Sequence, residues 1–257
     1  MTNHQPSPPP IRRRWLPQFS IRLLLIITAL VGIVLAARQR TESQRWAMLE
    51  YQRKGVKFET ASASDRQSYF NRLLYGDHRY DTTSAYFFEA KVTPRDVELL
   101  RQFDLDVVTI TATPTRGLLA PLAKLPRLHM LSIADTQLAA ADFRELQACA
   151  GLRILILRNV ELDSIDLGAL PQLETLMLTG NEINDELLHS MARLPNLESL
   201  YLREAQVTDV GVAQLAELQS LNKLEIESTP ITGDCLQSFA NSNVRELSIR
   251  DMKLMAA

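Results

Sequence analysis

The apolar residues of this chain recur in a fixed frame. In Leu197-Glu-Ser-Leu200-Tyr-Leu202-Arg-Glu-Ala-Gln-Val207 they fall at offsets 0, 3, 5 and 10. Leu173, Leu176, Leu178 and Ile183 repeat the spacing, as do Leu221, Leu224, Ile226 and Ile231. Extended in both directions, the frame gives eight units. They begin at Thr82, Leu105, Leu128, Leu152, Leu173, Leu197, Leu221 and Val244, with steps of 23, 23, 24, 21, 24, 24 and 23 residues. A period of this length marks a stacked array, because one unit cannot bury its own hydrophobic face and neighbours must share a core. Alternation at offsets 3 and 5 predicts a short strand with one buried face in each unit. The first two units are degenerate, with Ala85, Phe87 and Val92 in one and Val108 and Ile110 in the other.

The second half of each unit reads as helix. In Thr93-Pro-Arg-Asp96 the threonine can cap, proline takes the first helical position, and aspartate meets the positive helix end. Val97, Leu100 and Phe103 then point inward, as do Val212, Leu215 and Leu218 in the sixth unit. The fourth unit is short and carries Gly168 and Pro171, so a turn is expected there in place of a helix. Offset 8 holds Thr113, Thr136, Asn181 and Thr229, polar residues able to satisfy backbone groups in the turn after the strand. Ala90, Val160, Ala205 and Met252 interrupt that ladder.

The frame L-x-x-L-x-L-x-x-N/C/T-x-L across Thr82 to Leu254 resembles the leucine-rich repeat. Thr208-Asp-Val-Gly211-Val is similar to the T-D-x-G-L variant common in bacterial repeat proteins. The resemblance implies an α/β solenoid, or horseshoe, over residues 82–257. Such a fold has a parallel sheet on its concave side and helices outside, and the resemblance implies a protein-interaction role and no enzymatic one.

Upstream of the repeats the pattern changes four times. Residues 1–18 are polar, proline-rich and basic, with Pro6, Pro8, Pro9 and Pro10 before Arg12-Arg-Arg14, and read as a disordered tail. Residues 19–37 are apolar apart from Ser20, Arg22 and Thr28. As a helix they span about 28 Å, close to the thickness of a bilayer core of about 30 Å, so they are expected to form a transmembrane anchor. The opening Phe19-Ser-Ile-Arg-Leu-Leu-Leu25 is similar to that of bacterial membrane-anchored leucine-rich-repeat proteins. A cleaved signal peptide ending near Val34-Leu-Ala36 is the alternative. Basic residues flank both sides almost equally, but a signal-anchor start places the preceding cluster in the cytoplasm and the repeats outside it. Residues 38–57 are charged, with Trp46, Leu49 and Tyr51 but no sustained apolar stripe, and read as a stalk. Residues 58–81 read as an N-terminal cap, built on the capping box Ser64-Asp-Arg-Gln67 and the helix face Tyr69, Phe70, Leu73 and Leu74.

Composition adds little. A net charge of −2 gives no electrostatic reason to expect nucleic acid. The two cysteines, Cys149 and Cys235, fall at buried frame positions and are expected to be small hydrophobes. The four histidines lack metal-ligand spacing, and no nucleophile motif or phosphate loop is present, so neither catalysis nor a cofactor is indicated. Function is therefore expected at the variable strand positions. Ile156, Met177 and Tyr201 share offset 4 in three successive units, with Ile154 beside them and Arg158 and Arg203 two residues further along their strands. This is an apolar row with cationic flanks, suited to an unidentified protein partner. Self-association through the C-terminal unit, as a structural envelope protein, and a secreted inhibitor-like binder are the alternatives.

Overall fold

The structure, a computed structural model, describes residues 21–60, 82–163, 165–180 and 182–251. Among the described residues nine strands form one sheet in simple sequence order, β1 to β9. These are β1 (Val56–Thr60), β2 (Thr82–Phe88), β3 (Val107–Thr111), β4 (Met130–Ala139), β5 (Ile154–Asp163), β6 (Thr175–Thr179), β7 (Ser199–Arg203), β8 (Lys223–Glu227) and β9 (Glu246–Arg250). The eight strands from β2 onward are parallel and in register, each pairing residue for residue with the same frame positions of the next unit. The expected frame therefore positions β2 to β9, and the result is an α/β fold like that of leucine-rich repeats. Offsets 0, 3 and 5 form its core: Leu105, Val108, Ile110, Leu128, Leu131, Ile133, Leu197, Leu200 and Leu202 are all buried.

The return segments lie on the opposite side of the core from the open face of the sheet. The helices α2 (Pro94–Leu99), α3 (Leu119–Leu122), α4 (Ala140–Glu145), α5 (Asp185–Met191) and α6 (Asp209–Gln214) follow α1 (Ile21–Arg53). Thr93 and Asp96 form a reciprocal capping box at the start of α2, with Pro94 in its first turn. The fourth repeat has only the 3-10 turn Leu167–Ala169. Glycine is required at 168, since a Cβ there would come within 2.6 Å of the Ser190 carbonyl in the next repeat. Because helices are wider than strands, this packing puts the sheet on the inner, concave side.

From β2 onward every repeat carries the same backbone device just after its offset-6 residue. Offset 7 has positive φ in all eight repeats: Glu89, Ala112, Asp135, Asn159, Gly180, Glu204, Ser228 and Asp251. The left-handed residue turns its N–H onto the following repeat, as in Glu89 to the Thr111 carbonyl at 3.1 Å and Ser228 to the Arg250 carbonyl at 3.1 Å. The polar ladder at offset 8 operates at its N-terminal end. Thr113 Oγ1 accepts from the Ala90 N–H and donates to the Thr111 carbonyl, and Thr136 Oγ1 donates to the Thr113 carbonyl. Thr229 Oγ1 is buried without a partner among the described residues, and Asn181 lies outside them.

The N-terminal end differs from the sequence reading. Helix α1 runs without a break from Ile21 to Arg53, through the expected end of the anchor at Ala37 and into the stalk. Among the described residues no helix is long and apolar enough to cross a membrane. The first residues of the expected 19–37 anchor, the whole 1–18 tail and the helix expected after Ser64 lie outside the described residues.

The end of α1, within the expected stalk, rests on the array. Tyr51 is only 4% exposed and packs edge-on against Phe58 and Phe103, while Ala47 and Met48 also rest on the core. Its hydroxyl donates to the Asp96 carbonyl at 2.6 Å, and Lys54 Nζ lies 2.6 Å from Asp96 Oδ1. Strand β1 then pairs antiparallel with β2 and covers that edge of the sheet. The stripe Gln44, Ala47, Met48 and Tyr51 is a helical face, whereas Trp46 and Leu49 point to solvent.

Candidate functional site

The concave face is built by offsets 2, 4 and 6 of each strand, which alternate with the buried positions. Pairing places Ile156 beside Met177 and Met177 beside Tyr201, with Ser132 before them and Glu225 after. Adjacent strands lie about 4.8 Å apart, so the three apolar side chains form one uninterrupted row. Each is half-buried, flanked by its neighbours and open on the concave side. Ile154 sits between Met130 and Thr175 at offset 2. The sequence-derived apolar group is therefore brought together.

The cationic flank is not uniform. Arg158 is exposed and adjoins Thr179, which separates it from Arg203 by two strand spacings, about 10 Å. Arg203 Nε lies 3.0 Å from Glu227 Oε2 on the next strand, so its charge is already matched within the sheet. The seventh repeat supplies groups that the sequence reading passed over. Lys223 Nζ stands 5.6 Å from the Tyr201 ring centroid, over its face, and 3.4 Å and 3.8 Å from Glu246 and Glu225 carboxylate oxygens. Glu246, then Tyr201, hold the Lys223 ammonium above the usual lysine range. The concave face is thus apolar over repeats four to six and a lattice of alternating charges over repeats six to eight. The signal was present at offsets 2, 4 and 6 of the seventh unit, Lys223, Glu225 and Glu227.

A second concavity opens on the opposite side, where the fourth repeat lacks its helix. It encloses about 450 Å³ between the turn at Asp166 and α5, and is lined by Leu162, Ile165, Asp166, Glu182, His189 and Arg193, among others. Arg193 lies 3.8 Å from Asp166 across it. Among the described residues no group of three or more His, Cys, Asp or Glu side chains could hold a metal ion. Both cysteines are buried and free. Burial raises the Cys149 thiol above its ordinary range, and burial together with the Asp209 carboxylate pushes Cys235 up to about 12, so both stay protonated.

No family profile and no curated protein matches the sequence. Solved structures with a similar backbone path include a TLR13–ssRNA13 complex, at 18% identity over 68% of this chain and 26% of that one, with a TM-score of 0.48. The PEPR1–AtPEP1 complex is 14% identical over 81% of this chain and 32% of that one, with a TM-score of 0.42. An internalin from Listeria monocytogenes is 18% identical over 62% of this chain and 57% of that one, with a TM-score of 0.39. The chain spans about a quarter of the length of the first of these, 26%.

Proposed function

We propose that this chain is a membrane-tethered binding module whose protein partner docks on the concave face around Ile156, Met177 and Tyr201. The observation that carries the reading is the row itself. Large apolar side chains stand in register on three adjacent strands, half-buried by one another and open on the concave side. Tyrosine at the end of such a row, with Arg158 unpaired among the described residues beside it, has the composition of a binding hot spot. The charge lattice of repeats six to eight supplies a polar rim that would fix orientation more than affinity.

Tethering is supported by the N-terminal part of α1, where Leu30, Val31, Ile33 and Leu35 are each more than half exposed. Apolar side chains presented to water along one helix are favourable only if a lipid or protein phase covers them. The basic cluster at Arg12–Arg14, before the apolar stretch, supports an orientation with the repeats outside the cytoplasm. N-terminal sequencing of the mature protein tests this, since a start near Ala37 in the soluble fraction would instead support signal-peptide cleavage.

The docking face is tested by affinity capture from native membranes with two paired variants. Tyr201→Ala with Ile156→Ser is expected to lose the partner that wild type retains, with little change in melting temperature. His189→Ala with Arg193→Ala, in the cleft on the other side, is expected to keep it. The opposite result would assign binding to the cleft.

A further inference from the structure

Among the described residues β9 is the last strand of the sheet, and its core-side residues are less covered than those of β8. Leu224 and Ile226 on β8 are buried, but their counterparts on β9 are not: Leu247 is 37% exposed and Ile249 only partly covered. Among the described residues nothing pairs with the outer edge of β9. The backbone phase is fixed on the inner side, where the Glu246 N–H donates to the Asn222 carbonyl and the Arg250 carbonyl accepts from Ser228. Strand alternation therefore turns the N–H and C=O groups of Leu247 and Ile249 outward.

We infer that this edge docks the same strand of a second copy, antiparallel, about a two-fold axis at Ser248. The sequence Glu246-Leu-Ser-Ile-Arg250 is complementary to its own reverse. Paired this way, Glu246 faces Arg250 of the partner subunit on the concave side, and Leu247 faces Ile249 of the partner subunit on the core side. Residues directly opposite in an antiparallel pair share a face, so each charge meets its opposite. Leu247 and Ile249, whose backbone groups point outward, fall at the hydrogen-bonded pairs, and Ser248 falls at the close, non-bonded pair on the axis. The flanking Arg245 and Asp251 also carry opposite charges at mirrored positions. The same sheet already accepts an antiparallel strand at its other end, where β1 closes β2. Such a contact is isologous and closes at two copies. One five-residue strand per copy falls well short of a standard interface of about 1,600 Å², so the dimer is weak, with a Kd above about 1 µM.

Charge swaps on the full-length chain in detergent, read by sedimentation velocity over a concentration series, test this. Wild type is expected to reach a dimer at high concentration. Glu246→Arg and Arg250→Glu each oppose like charges twice and are expected to weaken dimerisation at least tenfold. The double swap restores both pairs, and an equimolar mixture of the two single variants restores them as a heterodimer. Ser248→Cys is expected to form an intermolecular disulfide on mild oxidation, because the axis brings the two Cβ atoms to about 5 Å, while Thr109→Cys on the same face stays monomeric. Wild type that remains monomeric at every concentration overturns the inference. So does a dimer that ignores the swaps, or single variants that dimerise no better when mixed.

Discussion

The Asp185 carboxylate occupies the space that a side chain at Gly211 would need. From there it accepts the Thr208 N–H at 2.8 Å and the Thr208 hydroxyl at 2.6 Å. An acid at the start of one repeat's helix thus fixes the turn of the next repeat, and the glycine one turn later lets it approach. Gly211 sits inside a helix with ordinary φ, where alanine alone would add about 1 kcal/mol of stability. Overpacking costs about 1–3 kcal/mol. Gly211→Ala is therefore expected to lower stability by up to about 2 kcal/mol, and in an Asp185→Gly background, which also removes the Asp185 Cβ 2.9 Å away, to become neutral or stabilising. Urea unfolding of the four proteins in this cycle measures the coupling. Independent, additive effects would mean that the contact is not a constraint.

The left-handed position at offset 7 supports a second prediction. Ala112 is exposed and sits at φ 47°. Glycine adopts that conformation freely, whereas a β-branched residue is strained there. Ala112→Gly is expected to be neutral or slightly stabilising, and Ala112→Val to cost about 1–2 kcal/mol although it buries nothing and removes no contact. The shift in urea midpoint checks both. A valine variant as stable as wild type would show that the turn relaxes out of the left-handed region.

These two features also mark what could be read from the sequence. The strand frame was legible because burial demands an apolar residue at offsets 3 and 5 in every repeat, and Leu176, Leu200 and Leu224 state it plainly. The left-handed turn was not, because backbone conformation there is imposed by the strand-to-helix path and tolerates Glu89, Ala112 and Ser228 alike. The concave row was legible from spacing alone, but the Arg203–Glu227 pair was not weighed, although both occupy offset 6 in consecutive units. The inward packing of α1 was not legible, because Trp46, Leu49 and Tyr51 form no single apolar stripe and the first two point to solvent. The stripe that packs inward consists of Ala47, Met48 and Tyr51, less conspicuous in type but correct in helical spacing.

A pH dependence follows from the second copy of the same staple. Asp209 accepts from the N–H groups of Thr232 at 2.8 Å, Gly233 at 3.0 Å and Cys235 at 3.0 Å, and from the Thr232 hydroxyl at 3.0 Å. Burial opposes its ionisation, but the bonds from Thr232 and Cys235 outweigh it and hold the carboxyl well below the usual carboxylate range. A carboxyl depressed in the folded state contributes stability that is complete above its unfolded value, about 3.9, and is lost as pH falls toward the folded value. Asp209→Asn is therefore expected to be less stable than wild type at pH 7, with the gap narrowing below about pH 4. Melting curves from pH 7 to pH 2 on both proteins measure this. A gap that stays constant across the series would show that the carboxylate's charge contributes nothing.

The cap supplies the last prediction. Removing Met1 to Arg40 leaves every core-facing residue of α1 in place, whereas removing Met1 to Arg53 takes Ala47, Met48 and Tyr51 with it. The longer cut uncovers Phe103 and Val56, both fully buried in the intact chain, and leaves the Asp96 carbonyl without the Tyr51 hydroxyl. Loss of a large buried aromatic side chain costs about 3–5 kcal/mol, a substantial fraction of the stability of an ordinary domain. The shorter truncation is expected to unfold at the same urea concentration as wild type, and the longer one markedly earlier or without a cooperative transition. Tyr51→Phe separates the ring from its hydroxyl and is expected to lose only about 1 kcal/mol. Equal stability of the two truncations would mean that the end of α1 only rests on the array, and that β1 alone closes it.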